Sequence, residues 1–162
     1  MGSRQKRKKD GLSVVKPFEA LPKIMDDQAR RVGAGVTAIM RKAGSAVDRE
    51  VVFRTPVDKG EARSNWVGTL NSAFTGTILP YAPGRKLGIG EQANAQAAIA
   101  QAAGAIQRYD VNRDRSIHIT NNVGHIGPLN SGSSTQAPAM FVQMGVQAGL
   151  VAIRGARVLP RR

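Results

Sequence analysis

The sequence contains no cysteine and few aromatic residues, and these absences exclude several classes of protein. Without cysteine there is no disulfide framework, thiolate zinc site or cysteine nucleophile. One tryptophan, two tyrosines and four phenylalanines are too few for a base-stacking platform for nucleic acid. No apolar run approaches the roughly 20 residues of a membrane-spanning helix, and none follows the basic N-terminus as in a secretory signal. The composition predicts a protein without a membrane partner.

Groups that carry catalysis or bind metals are also scarce. The two histidines, His118 and His125, have no acidic residues at a recognisable ligand spacing. The serines of segment 131–134 lack the strand–turn–helix context of a hydrolase nucleophile. The glycine-rich segment 83–90 lacks the Gly-Lys-Ser/Thr of a phosphate-binding loop. The sequence therefore predicts a protein that is not an enzyme and that binds no cofactor or metal.

Positive charge is the most pronounced property of the composition. The 162 residues include 24 lysines and arginines but 11 acids, a formal net charge of +13 at pH 7. Such a surface attracts polyanions, usually nucleic acid, and also fits acidic protein surfaces. Because recognition modules are missing, any DNA contact should be with phosphates. The residues predicted to contact partners or DNA are Arg4, Lys6, Arg7, Lys8, Lys9, Arg85, Lys86, His125, Arg154, Arg157, Arg161 and Arg162.

The order of the patterns predicts one α+β domain with basic extensions. Residues 1–22 are predicted to be a flexible basic arm, 23–155 the domain and 156–162 a basic tail. Apolar residues at spacings of three and four predict a long helix over 23–54. The remaining predicted elements are strands over 63–70, 74–79 and 116–121, a helix over 91–109, and a last helix from Pro138 to near Gly155.

The last helix has its own apolar pattern, and the segments around it form loops. One face of this helix is predicted to carry Phe141, Met144, Gly145, Ala148, Val151 and Ala152. The loops 81–90 and 125–136 are predicted to be interaction elements, because they are long, polar and rich in glycine.

A sharp corner joins the first helix to the first strand. Its sequence over residues 55–66 is Thr-Pro-Val-Asp-Lys-Gly-Glu-Ala-Arg-Ser-Asn-Trp. Pro56 disfavours helical geometry at Thr55 and cannot continue the helix. Asp58 can hydrogen-bond locally and Gly60 can adopt a positive φ, so the chain can reverse within a few residues.

This corner resembles the Thr-Pro-Val-Asp-Thr-Gly-x-Leu-Arg-x-Ser-Trp motif of one family. A second shared feature is a strand ending in Asn121-Asn122, a loop, then Gly-Ser-Ser-Thr-Gln-Ala-Pro over 132–138 before a phenylalanine-bearing helix. Over residues 24–155 the chain resembles the tail-completion, or neck, proteins that join head and tail in long-tailed bacteriophages. Departures are Lys59, Ala62 and Gly124-His125. The predicted structural motif residues are Pro56, Asp58, Gly60, Trp66, Gln136, Pro138 and Phe141.

The resemblance implies a small α+β fold, in which a long N-terminal helix and a C-terminal helix pack on a small antiparallel sheet, here with an inserted alanine-rich helix. It implies a structural virion protein of the neck, assembled in the host cytoplasm as a homo-oligomeric ring with the six-fold symmetry of tails. The implied partners are the head-completion (stopper), tail-terminator and tail-tube proteins, and channel DNA through its phosphates. The alternative is a basic protein that binds DNA nonspecifically on its own.

Overall fold

The computed structural model describes residues 18–84 and 90–159, and it confirms the predicted α+β class. A long N-terminal helix and a C-terminal helix accompany a small antiparallel sheet. The helices are α1 (Leu21–Arg54), α2 (Glu61–Ser64), α3 (Glu91–Ile106), α4 (Ile126–Asn130) and α5 (Phe141–Ile153). The strands are β1 (Val67–Leu70) and β2 (Ile117–Thr120), and they pair antiparallel with Val67 opposite Thr120.

Helix α1 is the longest element and begins within two residues of its predicted start. Its 34 residues correspond to a length of about 51 Å. Pro22 lies in the first turn, where its missing N–H is not needed by the helix. The helix ends at Thr55, whose φ of −68° and ψ of 124° are extended, as expected before Pro56.

Helix α5 packs along α1 through glycines, and only part of its predicted apolar face is buried. Phe141, Gly145 and Gly149 are buried, but Met144 and Val151 are exposed. A Cβ atom at Gly145 would overlap Val51, and one at Gly149 would overlap Val47. The backbones therefore approach too closely for large side chains, and α5 presents its small residues to α1.

The start of α5 also differs from its prediction at Pro138. The helix begins at Phe141, after Met140 with a left-handed φ of 63°. Asn130 holds this start: its carbonyl oxygen accepts the Met140 N–H at 2.6 Å, and its Oδ1 accepts the Val142 N–H at 2.9 Å. The last residue of α4 thus supplies the acceptors that set the boundary, and Pro138 precedes that boundary.

The sheet is smaller than the sequence predicts. The first strand starts at Val67 because residues 61–64 form a helical turn, so Trp66 precedes the strand. The strand predicted over 74–79 is wrong, since that segment is irregular. The loop after β2 contains the short helix α4, which the sequence analysis missed.

Side-chain carboxamides take the place of strand partners along this irregular segment. In three pairs, one carboxamide binds both the backbone N–H and the backbone carbonyl of a single residue, at donor–acceptor distances of 2.7 to 3.1 Å. The pairs are Asn65 with Ile78, Asn94 with Ala82, and Gln101 with Gly68. Backbone polar groups are thereby satisfied without a third strand.

The core is built largely from small residues. Its buried cluster contains Val51, Val52, Trp66, Ala95, Ala98 and Phe141. The alanine face of α3 is fully buried at Ala95, Ala98 and Ala102. Within the described ranges, no helix combines the length and apolarity required to cross a membrane.

One carboxyl group is buried in α1 without a hydrogen bond to its Oδ1 from the described residues. Asp48 is 2% exposed. Desolvation raises the pKa of the Asp48 carboxyl from 3.8 to about 7. Because the pKa of Asp48 is higher in the folded chain than in the unfolded chain, protonation of Asp48 favours the folded chain. This contribution to the stability of the fold is complete below pH 3.8 and is lost as the pH rises through about 7.

We predict that Asp48→Asn removes this pH dependence. Between pH 5 and pH 8, the free energy of unfolding of the wild type should fall by about 3 kcal/mol more than that of the variant. This magnitude follows from 1.36 kcal/mol per pKa unit. Urea titrations of both proteins at the two pH values measure the difference. Asp58→Asn, at an exposed position, is the control, and equal behaviour of all three proteins contradicts the prediction.

Candidate functional site

Arg63 anchors the corner between α1 and β1. Its guanidinium donates hydrogen bonds to the carbonyl oxygens of Thr55, at 2.7 and 3.2 Å, and of Phe53, at 3.2 Å. The same side chain forms an ion pair with Glu91 at the start of α3, at 2.7 Å. Carbonyls at a helix C-terminus lack donors and carry partial negative charge, so a buried cation suits this position. Arg63 thus ties three elements together.

Thr55 joins the end of α1 to the only tryptophan. Its hydroxyl donates to the Val51 carbonyl at 2.6 Å and accepts the Trp66 Nε1–H at 2.6 Å. Both side chains are buried, and Trp66 lies in the core cluster. The hydroxyl therefore satisfies an indole N–H that has no access to water.

Gly60 sits where no other residue fits. Its φ is 86°, in the left-handed region, and an added Cβ would overlap the Asn94 side-chain nitrogen. Asn94 Oδ1 accepts a hydrogen bond from the Ser64 hydroxyl at 2.8 Å. The Asn94 carboxamide also binds the backbone N–H and the backbone carbonyl of Ala82. The corner therefore turns tightly enough to bring its tip against α3.

The two sequence motifs meet at this corner. The Val57 N–H donates to Gln136 Oε1 at 3.0 Å, although 79 positions separate the residues. Close by, Asn121 Nδ2 donates to the Ala62 carbonyl at 2.7 Å, which ties the end of β2 to α2. Residues 55–66 and 132–138 thus belong to one structural unit.

A cleft of about 380 Å³ opens between the two motifs. Its walls are residues 56–62 on one side and His125, Leu129, Ser134 and Gln136 on the other. A second cleft of about 450 Å³, lined by residues 77–80, Pro83 and Gly84, shares Lys59 and Glu61 with the first. The tip of the corner, where Asp58, Lys59 and Glu61 are exposed, therefore stands between two depressions.

Asp58, His125 and Ser134 contribute polar groups to the lining of the first cleft. No hydrogen bond joins Asp58, His125 and Ser134 among residues 18–84 and 90–159. Within the same ranges, no three histidine or acidic side chains lie close enough to hold a metal ion. The chemistry present is hydrogen bonding and charge pairing at an exposed surface.

Comparisons of the chain with protein-family models, curated proteins and solved structures find no match. The similarity to neck proteins therefore depends on the two sequence motifs.

The structure places the predicted interaction residues in separate regions. His125 is exposed at the start of α4 and lines the first cleft. Arg154 and Arg157 are exposed after α5. The predicted residues Arg4, Lys6, Arg7, Lys8, Lys9, Arg85, Lys86, Arg161 and Arg162 lie outside the described residues.

The predicted motif residues divide into buried supports and an exposed rim. Pro56, Gly60, Trp66 and Phe141 are buried, whereas Asp58, Gln136 and Pro138 are exposed. Sequence analysis missed the strongest supports, Thr55 and Arg63. Both are polar residues inside the first motif, and their burial depends on tertiary packing.

We predict that Thr55→Val destabilises the fold by about 1–3 kcal/mol, because the isosteric change leaves the buried indole N–H of Trp66 unpaired. Urea unfolding followed by the fluorescence of the single tryptophan measures the loss. The matched control is Thr77→Val at an exposed position, which should change stability little. Equal midpoints for the two variants would contradict the role of the Thr55 hydroxyl.

Proposed function

We propose that this chain is a structural protein of the neck of a long-tailed bacteriophage, completing the tail end and helping to join tail and head as a homo-oligomeric ring. The observation that carries the proposal is the contact between the two motifs that resemble the neck family. The Val57 N–H binds Gln136 Oε1, so residues far apart in sequence build one corner. A motif pair that folds into one unit is a more specific signal than either motif alone.

The distribution of polar contacts also supports a role in assembly. Arg63, Thr55 and Asn94 direct their hydrogen bonds to backbone groups and to the side chains of Glu91, Trp66 and Ser64, respectively. The exposed side chains of Asp58, Lys59 and Glu61 and the two clefts beside them are left for partners. In the proposal, these surfaces contact neighbouring neck proteins, namely the stopper, the tail terminator or the tail tube. No catalytic step, cofactor or metal is part of this function.

Charge supports a role for DNA within the same assembly. A net charge of +13 on each subunit would line a ring with cations, including the exposed Arg154 and Arg157. Phosphates of DNA in the channel are bound without sequence preference by such a lining. The same residues also fit acidic faces of neighbouring rings.

We predict that phage particles assembled without this chain contain DNA-filled heads and separate or defective tails. Electron microscopy of lysates measures the fraction of joined particles. Supplying the wild-type chain in trans should restore joining, which controls for effects on neighbouring genes. Normally joined virions in the absence of the chain would refute the proposal.

The basic composition favours one alternative, a protein that binds DNA nonspecifically as a single chain. The two functions differ in what the monomer does at physiological salt. In the neck proposal, the monomer binds duplex DNA weakly and binding strengthens when rings form. Titration of monomeric chain with DNA over a series of salt concentrations tests this. Tight binding whose logarithm falls linearly with the logarithm of salt concentration would favour the alternative.

A further inference from the structure

Helix α1 carries basic residues along one exposed side. Arg31, Lys42 and Arg49 are exposed, and at about 100° per residue they fall within about 40° of Gly35 around the helix axis. From the first to the last of them the helix extends over about 27 Å, at 1.5 Å per residue. These three residues are called the basic row below.

The acidic residues of α1 lie outside this sector of the helix. Asp27 and Glu50 are the nearest to it around the axis, and each forms an ion pair on the helix, with Arg30 and Arg54 respectively. The other two acids of α1 fall on the far side of the axis. In the part of the chain that the structure describes, no ion pair includes a residue of the basic row. The row therefore carries positive charge that the described residues do not neutralise.

One member of the row also stacks on an aromatic ring. The Arg49 guanidinium lies 5.7 Å from the centroid of the Phe53 ring, which is one turn farther along α1. A cation–π contact uses the flat face of the guanidinium and leaves the N–H donors in its plane available. An arginine held in this way is suited to a bidentate contact with a phosphate.

The C-terminal tail crosses α1 within the same sector. A Cβ atom added at Gly35 would overlap the carbonyl oxygen of Val158. The tail backbone therefore lies directly on the helix at this glycine, and any side chain at position 35 would displace it. The crossing point falls between Arg31, four residues before it, and Lys42, seven residues after it.

This crossing brings a further arginine to the basic row. Gly155 has a left-handed φ of 78° just after α5, and residues 156–159 continue from there to the contact at Gly35. Arg157 is exposed and directly precedes Val158. Among the residues that the structure describes, no ion pair includes Arg157. Two segments far apart in sequence thus place cations on one side of the molecule.

The chemistry of this surface indicates a polyanionic partner. Lysine is depleted in protein–protein interfaces, and charged residues are depleted at their centres, whereas protein–DNA interfaces are strongly positive. The length of the row corresponds to about eight base pairs of duplex DNA, at about 3.4 Å per step. Cations on a straight helix, without recognition groups beside them, suit contact with phosphates.

We propose that the basic row and the tail seated at Gly35 form the surface through which this chain contacts the phosphates of duplex DNA. The sequence analysis named none of Arg31, Lys42 and Arg49 as contacts. The inference deepens the proposed function, since it names the surface that meets channel DNA, and it rests on that function for the presence of DNA beside the chain.

The salt dependence of binding tests the row. Full-length wild type and the triple variant Arg31→Gln/Lys42→Gln/Arg49→Gln are titrated with a short labelled duplex of random sequence. Each phosphate contact adds about 0.9 to the slope of log affinity against log salt, so the slope should fall by about 2.7 in the variant. Between about 50 and about 200 mM salt, the wild type should then lose about 40-fold more affinity than the variant.

A matched control removes the same charge elsewhere. Lys59, Arg108 and Arg115 are exposed and form no ion pair within the described residues. Their triple change to glutamine should keep the wild-type slope to within about 0.9. Equal losses of slope in the two triple variants overturn the proposal, because binding then follows net charge and not the row. Thermal unfolding checks that both variants fold.

The seat of the tail is tested without any change of charge. Gly35→Ala displaces the tail while favouring the helix, and the slope should fall by about 0.9 as Arg157 leaves the surface. Gly104→Ala is the control, since Gly104 is an exposed helical glycine whose nearest neighbour is 3.9 Å from an added Cβ atom. The wild-type slope in Gly35→Ala overturns the role of the seated tail.

The remaining outcomes separate the partner and the function. Poly-glutamate of equal charge that binds the wild type more tightly than the duplex assigns the surface to an acidic protein and overturns the proposal. Unequal slopes of the two triple variants, together with phage particles that join normally without the chain, support the DNA surface and overturn the neck function. Equal slopes, together with unjoined particles, overturn the DNA surface and leave the neck function standing.

Discussion

The structure depends on donors for the carbonyl groups at the end of α1. Pro56 stops the helix, and the carbonyls of Phe53 and Thr55 then lack helical partners. Arg63 donates hydrogen bonds to both carbonyls, and its guanidinium is fixed by an ion pair with Glu91. The Thr55 hydroxyl accepts the Trp66 Nε1–H and so holds Trp66 in the core. The start of β1, the position of α3 and the contact with Gln136 all follow from this corner. Its buried polar residues are structural supports.

Small residues determine how closely the helices approach and which side chains remain outside. Gly145 and Gly149 bring α5 against α1, and Ala95, Ala98 and Ala102 line the buried face of α3. Close packing of this kind leaves little interior volume for large side chains. Several large apolar side chains are exposed, among them Met25, Leu150 and Val151.

The sequence predicts the fold better than it predicts the site. Three of the signals are local in the sequence: the helical period of apolar residues in α1, the end of that helix before Pro56, and the alternation of apolar and polar residues in β2. The structure has α1, its C-terminus and β2 at these places. The strand predicted over 74–79 is absent because carboxamides from Asn65 and Asn94 bind the neighbouring backbone, and such long-range pairs leave no local pattern. The contact of Val57 with Gln136 and the orientation of α5 were likewise unpredictable, since both depend on tertiary packing.

The carboxamide of Gln101 has a consequence for the sheet. It occupies both the N–H and the carbonyl of Gly68 in the middle of β1. An extended segment from another molecule could not add to this edge without displacing Gln101, so the strand is protected from edge-to-edge pairing and from the aggregation that such pairing begins.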